Sequence, residues 1–407
     1  VDNLLRDNLL SVDSLFNDPH SNMVTQNLTF QATVEPIRDL KIILNCTENK
    51  SSQEEYYYKY QSDIGSVGGP LSYMMNGNYT ATTWAFATVF ANPDELFLEF
   101  LDNRSVVAER LAAANADPYN ETMVRDSVTG EFYPAGYSGN QQTVLLTSFL
   151  ATYLGKDAKS YGFTPFLDFP LPNWTINYTG FNKMKVLKKW FNNINISHKY
   201  TATYSVGNYY TDAAISNIQD YDYGIESVLN NAGDYVAPLS MDGVQVSEQF
   251  NPLIRLSVSM VNSFQFNLSV QRNRMLNLSF SNNQLTEATR NGFTFGGGYR
   301  FKDVALSIKA GDKVHNLKSD VVLQLNITYN SNKTSIRKIN QTYNLGQDIG
   351  QISSGSEVWM AELSGEYAIS ESLTARLFVQ TNINTPYISN SYPNSTTKGG
   401  VSVRFSF

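Results

Sequence analysis

The chain of 407 residues carries 30 basic and 37 acidic side chains, a net charge of −7, and so offers no basic footprint for nucleic acid. Its single cysteine, Cys46, excludes an internal disulfide framework and reads as a small apolar residue in a strand. Charged residues make up only 16 %, Tyr (25) and Phe (23) abound, and no run of 18 apolar residues occurs, so no helix is expected to span a membrane.

In chain order, Leu28, Phe30, Ala32 and Val34 alternate with polar residues up to Glu35-Pro36. The alternation restarts at Leu40, Ile42 and Leu44. Residues 76–90 (NGNYTATTWAFATVF) read as another strand. The period then changes. Leu96, Phe97, Phe100, Leu101 and Leu111 recur at helical spacing over Pro93–Ala114, with Asn92 as N-cap and Pro93 in the first turn. A Gly/Pro/Tyr-rich loop leads to a second short helix near 141–154, which holds the longest apolar run, Val144–Leu154. Strand patterns resume at Trp174–Tyr178 and Ile196–Val206.

The second half alternates almost without pause. Ile254–Met260, Phe264–Val270, Leu276–Phe280, Phe293–Tyr299, Val321–Tyr329, Trp359–Tyr367 and Leu373–Val379 each place apolar residues at every second position. Most runs last about ten residues, the length of a tilted strand that crosses a bilayer, and hydropathy averages miss such strands. Short links (Val261–Ser263, Glu287–Asn291, Ala368–Glu371) and long ones (Lys302–Lys318, Asn344–Ser356, Thr381–Lys398) are expected to alternate. The last strand ends GGVSVRFSF. Val401, Val403, Phe405 and Phe407 are expected to face lipid, as in a terminal β-signal, with the intervening polar residues facing a lumen. A barrel in lipid must pair every strand edge, so a chain that stops mid-strand fits a barrel better than a sandwich.

The expected fold is therefore all-β, a transmembrane antiparallel β-barrel with a helical insert. Residues 1–90 hold barrel strands after an N-terminal lead-in, 91–170 a cap- or plug-like insert, and 171–407 the remaining strands. About twelve to fourteen strand patterns are present, enough for a small barrel of its own. Counting strands back from the C-terminus leaves the side of the insert open: extracellular if residues 172–180 form a strand, periplasmic if they do not.

Several stretches carry a family resemblance. They are ATVEPIRDLKIIL (32–44), FLATYLGKD (149–157), PFLDFPLPNWTINYTGF (165–181) and KKWFNNINISHKYTATYSVGNY (188–209). In the second half they are VSEQFNPLIRLSVSM (246–260), LNLSFSNNQLTEATRNGFTFGGGYRFKDV (276–304), NKTSIRKI (332–339) and NTPYISNSYPNSTTKGGVSVRFSF (384–407). Over nearly its whole length the chain resembles the C-terminal portion of the type IX secretion outer-membrane translocon, the SprA/Sov family of Bacteroidota. The resemblance implies one arc of a very large barrel that exports folded cargo bearing C-terminal sorting domains, without catalysis or cofactor. It implies as partners the outer-membrane lipid, the rest of the barrel on an upstream segment or companion chain, and accessory outer-membrane and periplasmic proteins. A self-contained porin or nutrient-uptake barrel is the alternative.

Lys183, Lys185, Lys188 and Lys189 around Trp190 and Phe191 form a basic amphipathic patch. It reads either as a membrane-interface anchor, where lysines snorkel, or as a solvated turn. Catalytic and metal motifs are not found. Gly136–Asn140 lacks the fifth-position glycine of a nucleophile elbow, Gly296–Gly298 sits in a strand, and His20, His198 and His315 are scattered. Asn-x-Ser/Thr triplets at Asn27, Asn45, Asn173, Asn267 and Asn326 are expected on the polar face of strands, as by-products of a lumen wall.

Overall fold

The computed structural model describes residues 18–57, 60–61, 66–67, 71–115, 117–215, 227–310, 313–343, 349–370, 373–389 and 391–405, with 11, 13 and 15. The first strands are β1 (His20–Val34), β2 (Leu40–Tyr57), a small hairpin of β3 (Tyr60–Gln61) and β4 (Ser66–Val67), and β5 (Leu71–Thr82). Helix α1 (Pro93–Ala114), a second hairpin of β6 (Met123–Arg125) and β7 (Phe132–Pro134), and helix α2 (Gln142–Tyr153) follow. Then come β8 (Asn173–Tyr178), β9 (Phe191–Tyr210), β10 (Ser240–Met241), β11 (Gly243–Met260), β12 (Phe264–Ser279) and β13 (Gln284–Ala310). The last are β14 (Lys313–Lys338), β15 (Gln351–Ala368), β16 (Leu373–Pro386) and β17 (Asn394–Phe405).

Among the described residues, 13 strands form one sheet, ordered β1-β2-β5-β9-β11-β12-β13-β14-β15-β16-β17, with β8 and β10 attached to it. Every pair in it is antiparallel and, outside the insert, sequence neighbours lie side by side. Such local pairing follows from the short turns. Asp39, Ser263 and Asn283 take positive φ in three of them, a conformation that small polar residues tolerate. At Phe250–Ile254 a bulge adds two residues to β11, which leaves its alternation in phase.

β5 and β8 share a single strand position. β2 pairs with β5 through Glu48–Tyr57 and with β8 through Leu40–Asn45. On the other side β9 pairs with β5 from Thr203 onward and with β8 from Tyr200 downward. The helical insert thus interrupts one strand in its middle. The strand stops at Thr82, earlier than the alternation of 76–90 predicts. Trp84 instead turns away to donate its Nε1–H to the Pro172 carbonyl and to pack edge-on against Trp174. Tertiary contact overrides local periodicity there.

Asn92 caps α1 as expected. Its side chain accepts the Asp94 N–H, and Pro93 stands in the first turn, where its missing N–H costs nothing. Helix α2 is buried at every position from Thr143 to Tyr153, which is why its sequence carries no charge on any side. It lies between the sheet and α1. Leu145, Leu146, Phe149 and Leu150 pack with Tyr204, Val244, Leu276 and Leu278 of the sheet and with Phe97 and Phe100 of α1. Val144 and Ala151 meet Val107 and Leu111 of α1 in a second cluster. The insert therefore has a core of its own, rooted on one face of the sheet.

Two of the expected links are not links. Glu287–Asn291 lies inside β13, and Lys302–Lys318 belongs to a long β13–β14 hairpin paired down to Ala310 and Lys313. Polar residues there continue the strands instead of ending them, because backbone pairing does not depend on the side chains. Likewise β15 begins at Gln351, and Thr381–Pro386 and Asn394–Lys398 are paired strand.

Candidate functional site: the apolar band and its boundary

Strand register sorts the side chains into rows across one face. Val270, Phe293, Tyr329, Trp359 and Ile383 form one row. Below it lie Leu268-Phe295-Ile327-Ala361, then Phe266-Gly297-Leu325-Leu363-Val379, then Phe264-Tyr299-Leu323-Gly365-Leu377-Val401. The lowest row holds Phe301, Val321, Tyr367, Ala375 and Val403. β11 extends the band with Ile254, Leu256 and Val258, β8 with Trp174, Ile176 and Tyr178, and β1 with Leu28, Phe30, Ala32 and Val34. No second sheet covers it: Leu377 is 61 % exposed, Val401 67 % and Val403 63 %.

The opposite face is polar, with scattered charges of both signs. On β12 it carries Gln265, Asn267, Ser269, Gln271 and Asn273, and on β14 Gln324, Asn326, Thr328 and Asn330. Asn27, Asn45, Asn173, Asn267 and Asn326 all lie in strands, each out of phase with the apolar positions beside it. Among the charges here, which include Arg255, Arg300, Glu366 and Arg404, Arg376 pairs with Glu362 at 2.6 Å.

The band ends abruptly. One register step above Val270-Phe293-Tyr329-Trp359 lies the row Arg272-Asn291-Ser331-Glu357, and the next holds Arg274, Thr289 and Lys333. These charges face the same way as the band, under the edge of the insert. Arg274 bridges Glu248 at 2.9 Å, with both side chains almost wholly buried. It also donates to the carbonyls of Ala85 and Thr88 and to the Thr88 hydroxyl. Glu248 accepts the Tyr200 hydroxyl at 2.7 Å. Arg337 bridges Glu287 at 2.7 Å and Asp94 of α1 at 2.8 Å. Arg272 reaches the Val89 carbonyl at 2.6 Å and lies over the Phe90 ring. Three arginines of the sheet therefore hold the insert by its backbone and its helix start. The sequence offers no local sign of this: Arg272 and Arg274 simply interrupt an apolar alternation.

Further out, Asp234 ties the segment after β9 to the insert, accepting the Ser138 N–H at 2.9 Å and its hydroxyl at 2.7 Å. Burial pushes the Asp234 carboxyl above its usual value, and the two Ser138 hydrogen bonds offset only part of that. Ser138, the centre of the near-miss elbow motif, therefore works as a fastener. No His, Cys, Asp and Glu cluster able to hold a metal occurs among the described residues. Among them, no helix is long and apolar enough to cross a membrane.

The expected terminal-strand residues Val401, Val403 and Phe405 lie together on the apolar face of β17; Phe407 lies outside the described residues. Lys185, Lys188 and Lys189 are exposed on the connection between β8 and β9, at the end of the sheet away from the insert. Trp190 beside them is 64 % exposed, Phe191 opens β9, and Lys183 pairs with Asp39 at 2.7 Å.

The fold defined by these features is all-β, an antiparallel up-and-down sheet of barrel-wall type with one helical insert. No family model matches the chain, and no curated protein does. Among solved structures it is similar to in-vitro folded OmpT, an outer membrane protein of Vibrio cholerae, at 9 % identity and TM-score 0.22, covering 96 % of each chain. Outer-membrane expressed OmpT of the same organism gives 9 % identity and TM-score 0.23, over 97 % of this chain and 99 % of that one. Likeness this slight carries nothing about residues or activity, and the fold rests on the strand pairing itself.

Proposed function

We propose that the chain is a wall segment of an outer-membrane β-barrel, and more specifically part of the protein-conducting channel of a type IX secretion system. The observation that carries the membrane reading is the bare five-row band. Five rows span nine residues, roughly 30 Å along a strand at about 3.3 Å per residue, and a tilt of about 40° shortens this to roughly 23 Å. The lipid-facing band of outer-membrane barrels is about 25 Å tall. Aromatic pairs flank it, Tyr329–Trp359 above and Tyr299–Phe301 below, as interfacial girdles do.

The connections set an orientation. At one end β1 and β2, β11 and β12, β13 and β14, and β15 and β16 are joined by short links, with the longer 179–190 between β8 and β9; at the other end 280–283 is short, whereas the joins after β2, β9 and β14 are long. By the habit of such barrels the long-loop end is extracellular. The insert sits toward that end, on the lipid side of the wall. It leaves from mid-strand, and β8 (Asn173–Tyr178) is a strand, the condition under which the strand count makes the insert extracellular.

A wide channel is favoured over a self-closed porin. Along the order β1-β2-β5-β9-β11-β12-β13-β14-β15-β16-β17 every neighbour is antiparallel, so β1 and β17 run in the same direction. Among the described residues each pairs on one side only. Further strands would close the wall, and a polar lumen face whose charges are of both signs would let folded cargo pass without tight binding. In this reading the wall is passive, with no catalytic role. Cargo with C-terminal sorting domains and accessory proteins supply selectivity, as the family resemblance implies.

The test is a cross-linking experiment on the native, detergent-extracted protein. A cysteine at Thr396 on β17 is expected to cross-link to strands other than β1. An efficient link between Thr396→Cys and Asn27→Cys, both on the polar face, would favour the small closed barrel, and recovery as a monomer without detergent would end the membrane reading.

A further inference from the structure

At the seam between insert and sheet, directly above the apolar band, is a cavity of about 120 Å³. It far exceeds the 10–15 Å³ or so that one water needs. Four cations line it, Arg272, Arg274, Lys333 and Arg337, against one carboxylate, Glu287. Glu248 and Asp94 bind Arg274 and Arg337 from outside it. Arg272 and Lys333 have no carboxylate in salt-bridge reach among the described residues. Arg274 is 3 % exposed, and its buried Nε has no hydrogen-bond partner among them. A buried, unsatisfied guanidinium N–H is costly, so its presence on a cavity wall calls for an acceptor. The cavity adjoins a cleft of about 800 Å³ that shares Pro93, Lys333, Ser335 and Arg337, leaving room for a larger group.

The surroundings define the ligand's other end. One register step below Arg272, on the same face, Val270, Phe293 and Tyr329 begin the exposed apolar band. A ligand that satisfies both parts is anionic at the head and apolar behind it. We propose that this seam binds the phosphate of an anionic lipid, whose acyl chains lie along Val270, Phe293 and Tyr329; the inference rests on the membrane reading of the band. Arginine and lysine match phosphate as fork and point charge respectively. Arg272 is oriented for this by the Val89 carbonyl and the Phe90 ring, both supplied by the insert. The bound lipid would in turn fasten the insert to the wall.

The test is a native mass-spectrometric titration of the detergent-solubilised full chain with dioleoyl phosphatidate, dioleoyl phosphatidylcholine and inorganic phosphate. Phosphatidate is expected to bind one site saturably, about tenfold tighter than phosphatidylcholine. Lys333→Gln, an exposed position that leaves the core intact, and Arg272→Gln are each expected to weaken it severalfold. Lys398→Gln, on the polar face, is expected to leave it unchanged. Equal binding of both lipids, or no effect of Lys333→Gln, would overturn the proposal. Competition by inorganic phosphate as strong as by phosphatidate would overturn its lipid part. Failure to enter phosphatidylcholine vesicles would count against the membrane reading, whereas entry without phosphatidate preference would count against the seam site alone.

Discussion

The Leu171 N–H donates to the Thr82 carbonyl across 2.9 Å, closing the neck through which the helical insert leaves and re-enters a single strand. Just beyond it the Asn173 side chain accepts the Ala202 N–H at 2.8 Å, and β8 resumes pairing with β9 at Trp174–Tyr200. The wall therefore stays continuous while a packed body stands on its apolar face. Loosening the neck or the arginine fasteners is expected to free the insert without unzipping the sheet.

Glu248 and Arg274 supply the sharpest test of the fasteners. Arg274→Ala strands a buried carboxylate and frees insert carbonyls, and is expected to cost about 3–5 kcal/mol of insert docking. The double change Glu248→Gln with Arg274→Met should recover part of that. Protease protection across α1 and α2 in detergent reads both; an equally protected single variant would refute the fastener role.

Phe149 anchors α2 between the layers, edge-on to Phe100 with ring centroids 6.3 Å apart. Phe149→Ala is expected to cost about 3–5 kcal/mol through lost burial and the cavity left behind. Hydrogen exchange of α1 amides should accelerate accordingly, while β14–β15 amides keep their rates.

Charge on the two faces of one strand tests the membrane reading. Leu325→Arg, in the middle of the apolar band, is expected to disfavour folding into phosphatidylcholine vesicles by about 2–4 kcal/mol. Gln324→Arg, one residue away on the polar face, should be tolerated. Equal penalties at both positions would contradict the assignment of faces.

Asp234 gives a pH signature outside the band. Because burial raises its folded pKa, the folded state holds the proton more tightly than the unfolded one. The stabilisation is fully present below the unfolded value near 4 and is lost as pH rises through the folded value. Exchange of the Tyr235 amide, which donates to the Gly136 carbonyl at 2.8 Å, should therefore slow on acidification after correction for intrinsic rates. Asp234→Asn is expected to abolish that dependence.

Trp190 reports on the short-turn end of the sheet. Its emission is expected to shift to the blue when the protein enters vesicles, and Lys185→Gln with Lys188→Gln and Lys189→Gln should weaken entry into anionic ones. Unshifted emission in a vesicle-inserted protein would mark this connection as a plain solvated turn.

Alternation is a local property, so the sequence by itself determined the strands, their two faces, and the apolar run of Val401, Val403 and Phe405. Asn92 and Pro93 announced α1 equally locally, through the chemistry of the first helical turn. Where alternation misled, at residues 83–90 and at Lys302–Lys318, the decision was non-local: Trp84 found Pro172 and Trp174, and β13 found a long partner in β14. Only the tertiary structure decided that β5 and β8 are one strand position, because that depends on two neighbours, β2 and β9, being in register with both pieces. The seam was equally hidden. Val89, Arg272 and Lys333 lie far apart in sequence, and only antiparallel register and the return of the insert bring backbone carbonyl, guanidinium and ammonium to one cavity.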